Sequence, residues 1–150
     1  MGENLRLIRF YLALLALFTV GRWGLSLGGA EYGKTHHVFS IVILTYISAA
    51  FYGFVVRGFA GGGIKRALVV GALLGAISQV VVFLSTAISY MAGMDTFFNY
   101  PTALNVKEAI PFGEAMTGRA ITAVANIVFN GVVAALGYGI ATLTGPKAGE

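Results

Sequence analysis

The residues Glu114-Ala115-Met116-Thr117-Gly118-Arg119-Ala120-Ile121-Thr122-Ala123-Val124-Ala125-Asn126-Ile127-Val128-Phe129-Asn130 decide the fold class. Arg119, Thr122, Asn126 and Asn130 lie at spacings of 3, 4 and 4. At about 100° per residue they share one narrow stripe of a helix. The other positions from Ala120 to Phe129 are apolar or small. A hydrophobic helix with a single polar seam belongs in lipid, where the seam must face protein, water or a ligand.

The whole chain carries the same signature. Of 150 residues, 57% are hydrophobic and 11% charged, against about 25% charged in an average soluble domain. So little charge cannot keep so much apolar surface in water, and the chain falls in the membrane class. The net charge of +4 resides on basic residues at segment ends. Bilayer orientation accounts for it, and no nucleic-acid partner is expected. The absence of cysteine excludes thiolate catalysis, disulfide exchange and cysteine-ligated metals.

Four spans are expected, at about residues 5–27, 38–56, 67–92 and 115–143, in one domain covering 1–150. The first is the weakest. Its uncharged run, residues 10–21, falls short of the roughly 20 residues a span needs, so Arg6 and Arg9 must snorkel at one end and Arg22 near the other. A signal peptide ending at Gly28-Gly29-Ala30 is its rival. The predicted fold is an all-α, up-down-up-down bundle. Arg6, Arg9, Arg57, Lys65, Arg66 and Lys147 gather on one side, with only Glu3 and Glu150 as acids. The positive-inside rule then puts both termini in the cytoplasm. The expected location is a prokaryotic plasma membrane.

Each span has a polar seam: Tyr11, Thr19, Arg22 and Ser26 in the first; His37, Ser40 and Ser48 in the second; Gly75, Gln79, Thr86 and Tyr90 in the third. With Asn126 and Asn130 they lead either to a closed set of interhelical hydrogen bonds, with Gln79 satisfying the asparagines, or to a wet cavity. Gly71 with Gly75, Gly131 with Ala135, and Gly137 and Gly139 mark close helix packing, with self-association through the glycine faces as one outcome. Arg119 is eleven residues from Asn130, about 16 Å along a helix. That places it at the membrane edge, at the level of Arg22. Two guanidiniums at one depth repel unless an anion or carboxylate lies between them. Glu31, Asp95 and Glu114 are the carboxylates available.

The outer side holds most of the polar chemistry. His36-His37 opens the second span. Adjacent helical residues diverge by about 100°, so the pair does not suit one metal ion; no metal and no cofactor are expected, and hydrogen-bonding or pH-sensing roles fit better. In residues 93–113, Phe97, Phe98 and Tyr100 read as interfacial anchors or as a lid, with Pro101 opening a short helix through Ile110. Gly61-Gly62-Gly63-Ile64-Lys65-Arg66 lacks the phosphate-loop spacing and reads as a basic turn against anionic headgroups.

Three functions follow as expectations. The first is a transporter, channel or ligand-binding protein for a polar or anionic solute, its site made by Arg22, Gln79, Arg119, Asn126 and Asn130 and open to the outer face. The second is an outer-leaflet enzyme acting on a lipid-linked or phosphate-bearing substrate through His36 or His37 and a carboxylate. The third is a non-catalytic subunit of a larger membrane complex.

Overall fold

The computed structural model describes residues 2–144, so Pro146, Lys147 and Glu150 lie outside the described residues. It is all-α: α1 (Gly2–Leu7), α2 (Arg9–Leu27), α3 (Tyr32–Thr35), α4 (Ile41–Gly58), α5 (Ile64–Met91), a single 3-10 turn at Pro101–Leu104, and α6 (Phe112–Thr144), with no strand among the described residues. The helices α2, α4, α5 and α6 are long and apolar enough to cross a membrane.

Local chemistry sets the helix ends. α5 stops where Gly93, at φ 63°, takes the left-handed conformation that closes a helix without a side-chain clash. α6 begins after Pro111, whose carbonyl accepts the Ala115 N–H at 3.0 Å, and Glu114 in its first turn suits the helix dipole. At 33 residues α6 is about 50 Å long, well beyond the roughly 30 Å hydrocarbon core. The first span is not one helix: the chain breaks at Ile8, which is fully buried. The break lets α1 turn toward α5, where Arg66 Nε donates to Asn4 Oδ1 at 3.2 Å.

Helices α4, α5 and α6 form a tight core built on glycine. Along α5 and α6 the packed pairs run in opposite senses: Thr86 meets Arg119, Gly75 meets Ile127, and Gly71 meets Ala134. A Cβ on Gly53 would strike the Ala134 backbone, and one on Gly137 the Ala50 backbone. In lipid such close backbone approach replaces the hydrophobic drive that water supplies. Gly139 corrects the sequence expectation, since a Cβ there meets open space. Gly71, Gly75, Gly131 and Gly137 all face neighbours within the chain. The glycine faces expected to support self-association are therefore occupied.

Helix α2 stands farther off and is held by large side chains. Tyr11, fully buried, reaches Thr45 Oγ1 at 3.1 Å and donates to the Leu74 carbonyl at 3.3 Å. Near the other end of α2, Trp23 Nε1 donates to Ser85 Oγ at 3.4 Å.

Candidate functional site

Where α2 ends and α4 begins, the chain makes a tight turn. His36 and His37 lie in this turn, between α3 and α4, just ahead of the second long helix, which begins at Ile41. Phe39 sits at φ 49°, a region unfavourable for a bulky side chain. Its ring lies where a Cβ on Gly21 would be, and meets Phe18 edge-on at 5.5 Å between centroids. The glycine in α2 thus seats the phenylalanine that fixes the histidine turn. Arg22, one residue on, donates from Nη1 to the His36 carbonyl at 3.1 Å.

The segment between α5 and α6 folds back into the mouth of the bundle. Ser26 Oγ accepts the Phe97 N–H at 2.9 Å, Ser89 and Thr96 share a hydrogen bond of 2.6 Å, and Tyr90 Oη donates to the Ile110 carbonyl at 2.8 Å. Phe97 and Phe98 are 4% and 2% exposed, which corrects their reading as interfacial anchors: they are plugs. Tyr100 stays outside, 45% exposed, and stacks on Tyr32 at 4.7 Å. The helix expected from Pro101 to Ile110 is only the single turn Pro101–Leu104, ended by Asn105 at φ 59°.

Arg22 and Arg119 come together in this mouth. They line one cavity of about 320 Å³, together with His36, His37, Phe98 and the first turn of α4. Arg22 is 9% exposed and lies 5.4 to 5.8 Å from the ring centroids of Tyr32, Phe97 and Phe98. Arg119 donates from Nε to Thr86 Oγ1 at 3.1 Å and from Nη2 to the Phe98 carbonyl at 2.7 Å. A carbonyl dipole and three aromatic rings solvate Arg22, and a carbonyl and a hydroxyl solvate Arg119. No carboxylate does. Glu31 is paired with Lys34 at 2.7 Å, and neither Asp95 nor Glu114 reaches either guanidinium. The carboxylate bridge weighed from the sequence is absent among the described residues. Two cations brought out of water without a counter-charge are unfavourable unless something anionic joins them.

The cavity also lacks the carboxylate that a histidine-based acid/base pair would need: Asp95 lines two other clefts, and Glu114 lines a third that it shares with Arg119.

The deeper polar residues stand apart from the cavity. Asn126 Oδ1 accepts from Tyr46 Oη at 2.7 Å, and its Nδ2 donates to the Thr122 carbonyl at 3.0 Å. Asn130 Nδ2 donates to the Asn126 carbonyl at 2.8 Å, while its buried Oδ1 has no partner. No hydrogen bond joins the buried Gln79 to either asparagine. The expected Gln79 link is replaced by Tyr46. That tyrosine is 80 residues from its partner and carries no signal in the sequence beyond its place in a span. Phe97, Phe98 and Tyr32 were likewise legible only as loop aromatics.

No protein-family model, no curated protein and no solved structure matches this chain.

Proposed function

We propose that the protein is an integral membrane protein that binds a small oxyanion between its helices, in the cavity lined by Arg22 and Arg119. One observation carries the reading: the buried Arg22 and the half-buried Arg119 line a single cavity that no carboxylate lines with them. Each guanidinium has five N–H donors. Arg22 uses one within the protein and Arg119 two, which leaves donors for the forked recognition that suits carboxylate and phosphate oxygens.

The proposed topology is up-down-up-down with both termini cytoplasmic, so the arginine cavity opens toward the outer face. The support is the distribution of Lys and Arg among the connections. Below the cavity the seam is closed by the Tyr46–Asn126 contact and by the packing of Gly71 and Gly75 on Asn130. That favours a blind binding site over an open channel.

The test is titration of the purified protein with phosphate and sulfate, followed by the same titration of Arg22→Gln and Arg119→Gln. Saturable binding that weakens at least tenfold in each variant is the expected result. Equal binding in wild type and both variants rejects the site. Flux measured in proteoliposomes then decides whether binding leads to transport.

A further inference from the structure

We infer that the arginine cavity takes a phosphate monoester carried on an apolar tail, a lipid whose headgroup sits between Arg22 and Arg119 and whose chain leaves along the first turn of α4. The inference rests on the oxyanion reading above and names the class of anion.

Charge selects the head. The two guanidiniums bring two positive charges, and no acidic side chain lines the cavity with them. A phosphodiester or a carboxylate supplies a single negative charge and leaves one cation uncompensated. A phosphate monoester carries about −1.5 to −2 at neutral pH and presents three strong acceptor oxygens. A single such group matches the charge of both guanidiniums and offers each an oxygen to accept from.

Size and lining select the tail. About 320 Å³ is at the small end of the roughly 300–1,000 Å³ typical of organic-ligand sites and far above the roughly 30 Å³ share of one water. A bare phosphate would leave much of it empty. His36, His37 and Ser40 line the cavity on the side of the turn, while the wall toward α4 and α5 is apolar: Ile41 and Val82 are buried, and Phe98 lines the space with them. The lip is formed by Val42 and Ile43, which are 40% and 46% exposed and sit in the first turn of a membrane-crossing helix. Such a lip faces acyl chains at the level where headgroups begin, so a lipid enters sideways without leaving the bilayer.

The experiment uses the full chain in detergent micelles and follows the emission of Trp23, the one tryptophan of the chain, whose ring lies 5.2 Å from that of Phe98. Four probes are titrated: short-chain phosphatidic acid, phosphatidylglycerol, laurate and glycerol 3-phosphate. Phosphatidic acid is expected to bind at least tenfold tighter than each of the others. Its affinity is expected to fall at least tenfold in Arg22→Gln and in Arg119→Gln, and to stay unchanged in Arg57→Gln at the far end of α4. Ile43→Asn, which alters an exposed lip residue and so tests the tail independently of the arginines, is expected to weaken phosphatidic acid and leave glycerol 3-phosphate unaffected. Equal, arginine-dependent affinity for all three lipids overturns the monoester assignment while the oxyanion site stands. Glycerol 3-phosphate matching phosphatidic acid overturns the lipid source. Failure of every probe to bind in an arginine-dependent way overturns both the inference and the site.

Discussion

Arg119 Nη2 donates to the backbone carbonyl of Phe98 at 2.7 Å, so an aromatic residue lining the cavity is held by one of the two cations that line it. The same carbonyl accepts from Thr86 Oγ1 at 3.1 Å. Arg119 uses two of its five N–H donors in holding this segment, one on Thr86 and one on Phe98.

Arg119→Ala removes both donors and leaves the buried Phe98 carbonyl with Thr86 alone. Loss of a charge-assisted hydrogen bond in a buried setting is worth about 1.5–3 kcal/mol. The expected outcome is a lower unfolding midpoint in detergent, together with faster proteolysis between residues 93 and 111. Arg119→Lys should restore part of the stability but not the binding, because an ammonium has no fork. Equal proteolysis of wild type and Arg119→Ala would show that the clamp on Phe98 is idle.

Tyr46→Phe deletes the hydroxyl that satisfies Asn126 Oδ1. Interhelical hydrogen bonds of this kind are worth about 0.6 kcal/mol on average and up to about 2. Unfolding in mixed micelles should report a loss in that range. Combined with Asn126→Leu, the second change should cost less than it does alone, since the partner is already gone. Strict additivity would mean that the two groups do not interact.

Asn130→Leu tests the orphaned oxygen. Its Oδ1 is buried without a partner, and the side chain's one hydrogen bond returns to its own helix. Removing an unsatisfied acceptor at similar volume is close to neutral or stabilising, so the midpoint should stay within about 1 kcal/mol of wild type or rise. A loss well above about 1 kcal/mol would reveal a ligand or water bound at Oδ1.

Gly137→Ala and Gly139→Ala form a matched pair one turn-fraction apart on α6. The first drives a methyl into the Ala50 backbone, while the second enters open space. The first should destabilise by about 1–3 kcal/mol, the usual range for overpacking. The second should be neutral or slightly stabilising through helix propensity. Size-exclusion profiles and unfolding midpoints read both, and similar behaviour would contradict the close approach of α4 and α6.

Gly21→Leu occupies the place of the Phe39 ring. Displacing Phe39 moves the His36–Ser40 turn and with it the carbonyl that holds Arg22. Anion affinity should fall while the α4–α5–α6 core, which does not touch Gly21, keeps its stability. Unchanged affinity would separate the histidine turn from the site.

The helices were legible because hydrophobic runs and their polar interruptions are local properties: the seam of residues 114–130 requires a helix wherever the rest of the chain lies. The meeting of Arg22 and Arg119 at one level was likewise open to depth arithmetic along each span. Glycine spacing gave the packing faces in part, and Gly139 shows the limit, since a small residue permits an approach without causing one. The break at Ile8 was hidden, because the contact it permits, Arg66 to Asn4, lies 62 residues away on another helix.

By itself, then, the sequence determined an all-helical protein with four helices long and apolar enough to cross a membrane, since lipid imposes helix on every apolar run that spans it. Tertiary structure alone decided the partners. Hydrogen bonds such as Tyr46 to Asn126 and Arg119 to Phe98 span 80 and 21 residues, and no periodicity records which helix faces which. The same holds for the missing counter-charge. The carboxylates are present in the chain, but Glu31 pairs with Lys34, and Asp95 and Glu114 line other clefts, so none lines the arginine cavity.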